Sequence, residues 1–207
     1  MIKRWIVFIA GMNFLAIGII LNTKSMLGVG SINTIPYALS NILNISLGTV
    51  TMIVYSVFII LQFILIKKID MQIIMQLPYS FLFGILLDFY DVFFNIIPHT
   101  LMTQFLLLSL AIILTALGAF MMILANIVLN PADGIVHTIS EVYQKEFGTI
   151  KNIFDITAIL LTTILCLISK GYIIGIGIGT ILSAIFIGRC IALYQRSYNL
   201  HIAKKCI

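Results

Sequence analysis

The chain has 207 residues, of which 61% are hydrophobic and 9% charged, with a formal net charge of +5 and a mean hydropathy of +1.17. A soluble domain carries about 25% charged residues to keep its surface wet, so a polytopic membrane protein, with the lipid bilayer as its outer solvent, is expected. The cations fall at segment ends with no basic stripe interleaved with aromatics, which argues against nucleic acid as a partner.

A helix needs about 20 apolar residues to cross a bilayer. Six runs reach that length: residues 5–22, 48–66, 71–94, 101–127, 148–169 and 172–195. The first follows a basic start, as a signal peptide would, but it passes into Asn22, Thr23 and Lys24 with no small-x-small cleavage site. A retained first helix is expected.

Residues 28–43 (GVGSINTIPYALSNIL) are shorter and polar on one side. At 1.5 Å per residue such a helix covers about 24 Å, less than the ~30 Å hydrocarbon core. The span over 71–94 closes with Asp88 and Asp91, ahead of Asn95 and His99, and reads as a solvated outer mouth.

The second short element, 131–144, carries Asp133, His137 and Glu141 four residues apart. That spacing stacks them on one helical face. The stripe reads either as the wall of an internal cavity or as the wet face of an interfacial helix. Ionisable groups inside membrane segments mark ion or substrate routes. A metal site from these three side chains lacks a fuller ligand set, so neither metal nor cofactor is expected.

Lys151 and Asp155 are also four apart. They form an intrahelical ion pair, or Asp155 is a membrane-embedded carboxylate that exchanges protons with Lys151 as counter-charge. GIGIGT (175–180) follows no strand and has no lysine after its glycines, so it is not a phosphate loop; Gly175 and Gly179 suit close helix packing. Arg189 lies well inside the last span and is expected to pair with Asp155 or Glu141. Cys166, Cys190 and Cys206 show no metal-ligand spacing and read as apolar fillers. No nucleophile–base–acid set is evident, so the chain is not expected to be an enzyme.

An offset of 100 residues aligns the two halves. Ala16 meets Ala116, Gly18 meets Gly118, and Gly48-Thr49 meets Gly148-Thr149. Asn33, Tyr37 and Asn41 fall opposite Asp133, His137 and Glu141. Later in each half the offset becomes 104, where Gly84 and Tyr90 meet Gly188 and Tyr194. The reading is a duplication of two membrane repeats, 1–100 and 101–207, the second with a short basic C-terminal tail.

If all eight segments cross, the inner ends hold Lys3, Arg4, Lys145, Arg196, Lys204 and Lys205, against Lys24, Lys67, Lys68 and Lys170 outside. If the two short elements re-enter instead, Lys67 and Lys68 move inside, and the positive-inside rule favours this arrangement. Each repeat then has three full spans plus one short broken or re-entrant helix. The second repeat is inverted relative to the first, as in many secondary transporters. The expected fold is all-α, with eight helices.

Gly28-x-x-Ser31-x-Asn33, Pro131-x-Asp133-Gly134, Gly48-Thr49, Gly148-Thr149, GTIKNIFDI, Gln76-Leu-Pro78 with Gly84 and Asp88, and GIGIGTILSAIFIG occur in an informative order. In that order the chain resembles the YczE/YyaS/YitT-like family of bacterial integral membrane proteins over nearly its whole length. Members tend to carry a Gly-x-x-Pro-x-Asp type motif. The first half departs from it, with Ser31 and Asn33 where Pro and Asp are common, which places the charge in the second half. The resemblance implies a bacterial plasma-membrane protein and supplies no substrate.

The expected function is a small transporter or permease for a small cationic or zwitterionic solute, with Asn33, Tyr37, Asn41, Asp133, His137 and Glu141 as substrate site. Asp133, Glu141 and Asp155 are the candidates for proton or ion coupling, and Lys151 and Arg189 for ion pairing. Two other readings stand beside it: a solute-binding or accessory subunit working with a partner protein, and a lipid-handling protein. A homodimer or a partner membrane protein is compatible with either. Both termini are expected in the cytoplasm.

Overall fold

The computed structural model describes residues 2–68 and 70–205, the last six by backbone course alone. Cys206 and the side chains of Lys204 and Lys205 lie outside the described residues. The order is α1 (Ile2–Lys24), a 3-10 turn (Ser31–Asn33), α2 (Thr34–Leu43), α3 (Leu47–Ile66), α4 (Met71–Ile74), α5 (Gln76–Phe93), α6 (Leu101–Ala125), α7 (Pro131–Val142), α8 (Phe147–Lys170) and α9 (Ile178–Lys205). Helices α4 and α5 form one span with a break at Met75. Pro78 explains the break: it has no N–H for the Ile74 carbonyl, and its ring crowds that oxygen.

Six spans are long and apolar enough to cross a membrane, and no strand occurs among the described residues. The fold is that of an all-α, multi-pass membrane protein. Helices α2 and α7, with 10 and 12 residues, reach only about 15 and 18 Å. Each turns back at once into the following long helix, α3 or α8.

Two boundaries differ from those expected. The short element over 28–43 becomes helical only at the 3-10 turn, because Gly28 sits at φ +110°. The last span starts at Ile178 rather than at 172, because Gly171 caps α8 at φ +77° and Gly175 follows at φ +78°. These left-handed conformations favour glycine and interrupt a helix. The starts of other helices follow local chemistry. Ser46 caps α3 by accepting from Thr49 N, Thr100 and Thr103 form a capping box on α6, and Asn130 caps α7 ahead of Pro131.

Helices α1 and α6 form the centre of the bundle and run antiparallel: Gly11 lies against Met121 and Met122, Gly118 against Leu15, and Gly18 against Thr115. Small residues are what let two backbones approach within lipid, where packing rather than water drives association. Arg4 closes the far end of α6, with Nε donating to Ala125 O at 2.9 Å and Nη2 to Asn126 O at 2.6 Å.

Around this pair the contacts recur at the sequence offset. Helix α5 lies on α1, where Tyr90 Oη donates to Asn13 Oδ1 at 2.7 Å. Helix α9 lies on α6, where Tyr194 Oη donates to Ile113 O at 3.5 Å. The short helices exchange partners: α2 lies on α8 and α7 on α3. Thr162 Oγ1 donates to Thr34 Oγ1 at 3.0 Å, and at the corresponding positions Gly134 sits against Gln62.

One pairing is not repeated. Helices α3 and α5 cross with Gly48 against Gly84, and Tyr55, Phe83 and Tyr79 stack between them at 6.1 and 5.4 Å. Among the described residues, helices α8 and α9 form no such crossing, and both leave most of their surface exposed.

Candidate functional site

Asp133 is the third residue of α7, one turn from the helix start that Asn130 and Pro131 define. A carboxylate is favoured there by the helix dipole. Helix α8 runs back along α7 and places Lys151 beside it. Lys151 Nζ lies 3.5 Å from Asp133 Oδ1 and 3.4 Å from Asp155 Oδ1. Ser31 of the 3-10 turn lies next to the Asp155 carboxylate. One ammonium therefore serves two carboxylates on two helices, and the three groups sum to one negative charge.

Both separations are longer than the ~2.7–2.9 Å of a tight charge-assisted hydrogen bond, and Asp155 Oδ1 is buried without a hydrogen-bond partner among the described residues. Asp133 is 39% exposed, Lys151 25% and Asp155 16%. The cluster is half-sheltered and held by charge rather than by close hydrogen bonds.

The six residues expected to form one polar site are not gathered in one place. His137 and Glu141 pair with each other at 3.6 Å on the exposed, C-terminal part of α7. Asn33 lies in the 3-10 turn beside Gly30, near Asn22, whose Nδ2 donates to Ser183 Oγ at 3.0 Å. Tyr37 and Asn41 line a separate cavity of about 300 Å³ at the C-terminal end of α1, together with Lys24, Ser46 and Asp91. The reason is the exchange of partners: α2 packs on α8 and α7 on α3, so matching faces of the short helices look toward different ends of the bundle.

Arg189 makes no ion pair among the described residues and lies over the Phe186 ring, 5.9 Å from its centroid. Helix α9 rests on α6, which keeps Arg189 from the expected partners Asp155 and Glu141. Gly175 and Gly179 also act otherwise than expected. They serve backbone against backbone rather than helix against helix: Val29 N donates to Gly175 O at 2.8 Å, and Gly179 N to Leu27 O at 2.7 Å.

Two acidic residues read as a solvated mouth have defined partners. Asp91 Oδ1 lies 2.8 Å from Lys24 Nζ. Asp88 takes hydrogen bonds from Gly48 N and Ser46 Oγ, each at 2.7 Å. The available signal was Asp88 one turn beyond Gly84, in a chain where Gly48 also opens a span. Among the described residues, no three His, Cys, Asp or Glu side chains come together as metal ligands.

Six apolar spans around two short helices, with ionisable groups at the junction of α7 and α8, define a multi-pass integral membrane protein. The chain belongs to a family of unknown function (DUF6198), which matches residues 2–196. No curated protein and no solved structure matches it.

Proposed function

We propose that the protein is a small inverted-repeat transporter for a cationic or zwitterionic solute, and that Asp133, Lys151 and Asp155 form its solute site. The observation that carries this is the single Lys151 ammonium shared by two carboxylates at 3.5 and 3.4 Å. An incoming ammonium takes the place of Lys151 on one carboxylate. A zwitterion places its own carboxylate on the freed lysine as well, so the net charge of the cluster does not change. A proton on Asp155 or Asp133 releases Lys151 in the same way, which provides a route to proton coupling; Glu141, paired with His137 at the exposed end of α7, is a relay to that site.

The inverted arrangement is supported by the reciprocal contacts. Gly18 meets Thr115 while Gly118 meets Leu15, and these helices run antiparallel. A two-fold axis relating them is perpendicular to both, so it lies in the plane of a membrane that they cross. The short helices α2 and α7 then re-enter from opposite faces. With six full spans both termini share one face, and the cationic ends favour the cytoplasm. The resemblance to YczE/YyaS/YitT-like proteins supports a bacterial plasma membrane as the location.

The test is a thermal-shift screen of detergent-purified protein against amines, amino acids and inorganic cations, with Asp133→Asn alongside. A ligand at 100 times its Kd stabilises by about 2.7 kcal/mol. Stabilisation by a cationic or zwitterionic compound that is lost in Asp133→Asn supports the site. Equal stabilisation in the variant removes Asp133 from it, and a panel without response sinks the solute reading.

A further inference from the structure

We propose that α9 is a gate that closes over α8, covering the Asp133–Lys151–Asp155 cluster, and that this structure holds the gate open. The inference rests on the inverted-repeat reading above and is carried by a difference between corresponding halves.

On α3, Gly48, Thr51 and Tyr55 are spaced three and four apart and share one face. Helix α5 covers that face: Gly84 lies on Gly48, Phe83 stacks on Tyr55, and Thr51 and Tyr55 are 2% and 0% exposed. On α8 the corresponding stripe is Gly148, Lys151 and Asp155. The helix corresponding to α5 is α9, with Ile187 and Gly188 in the places of Phe83 and Gly84. Here α9 does not lie on the face, and Lys151 and Asp155 stay 25% and 16% exposed. A Cβ at Gly148 or at Gly188 would meet nothing within 4 Å among the described residues.

Helix–helix contact is what makes a membrane glycine useful, because it removes the side chain that keeps backbones apart. Gly148 and Gly188 gain nothing from the open arrangement. In the closed one they form the same crossing as Gly48 and Gly84, and Ile187 lies over Asp155. A solute on the carboxylates is then shut away from the side on which the cluster is now exposed.

The two crossings also differ in what holds them. Asp88 fastens the first by accepting from Gly48 N and Ser46 Oγ. Its counterpart in α9 is Ala192, and Ser46 is matched by Glu146, which makes no side-chain cap. The first crossing is latched and the second is free to part, which accounts for the open state being seen in the second half.

The experiment measures the α8–α9 separation by double electron–electron resonance in lipid nanodiscs. Nitroxides are attached at Ile153→Cys and Leu193→Cys, both lipid-exposed positions, in a chain whose three native cysteines are serine. Two distance populations are expected. The shorter is expected to be lost in Gly148→Leu and, independently, in Gly188→Leu, while thermal unfolding does not fall below that of the parent, because a Cβ at either position has open space in the open form. A single distance, or two populations that both glycine variants leave unchanged, overturns the gate. No solute is used, so the gate can fail while Asp133-dependent binding stands, and the reverse.

Discussion

Asp88 on α5 caps α3 through Gly48: its Oδ1 accepts from the Gly48 amide at 2.7 Å. The other oxygen takes the Ser46 hydroxyl at 2.7 Å. A carboxylate on one helix thus satisfies an amide at the start of another, exposed by the geometry of every helix N-terminus. Asp88→Ala is expected to lower stability by about 1–2 kcal/mol, the scale of a lost helix cap. Thermal unfolding in detergent reads this, and an unchanged Tm would show that the bond contributes nothing.

Gln62 and Gln76 form a closed amide pair, with Nε2 to Oε1 distances of 2.8 and 3.1 Å. Both side chains are buried. Replacing one leaves the other without its partner, which costs about 1–3 kcal/mol. Gln62→Leu is therefore expected to destabilise more than the double variant Gln62→Leu/Gln76→Leu. A double variant no better than the single one, in the same unfolding assay, contradicts this.

The Lys151 bridge makes a similar but smaller prediction. Lys151→Met leaves two carboxylates close together with no counter-charge, and Asp155→Asn in that background relieves them. Because the groups are partly exposed, the coupling between the two changes is expected at roughly 1 kcal/mol and to shrink with added salt. A double-mutant cycle at low and high salt measures it; strict additivity would mean that the contact carries no energy.

Glycines in this chain should divide sharply by substitution. Gly18 and Gly118 lie against the backbones of Thr115 and Leu15, so Gly18→Leu or Gly118→Leu forces α1 and α6 apart and is expected to abolish the folded, monodisperse protein on size exclusion. Gly188 stands in the interior of α9 with open space around it. Gly188→Ala is expected to raise stability, by up to about 1 kcal/mol from helix propensity.

The membrane class and the six long spans were legible in the sequence, because a run of about 20 apolar residues has one inexpensive place to go. The two short helices were legible too, from Pro131, the glycines and their length. The Lys151–Asp155 contact follows from spacing of four on a helix, a purely local property. Asp133 joins them only because α8 doubles back along α7, and that step depends on a turn whose direction no local pattern encodes. Tyr37 and Asn41 match His137 and Glu141 by number, yet they end in a separate cavity, since α2 and α7 pack on each other's long helices. The glycines make the same point. Gly48, Gly84, Gly148 and Gly188 look alike in the chain, and only the tertiary structure decides that one pair is closed and the other open. A glycine permits close approach; which backbone approaches it is settled by the packing of the whole bundle.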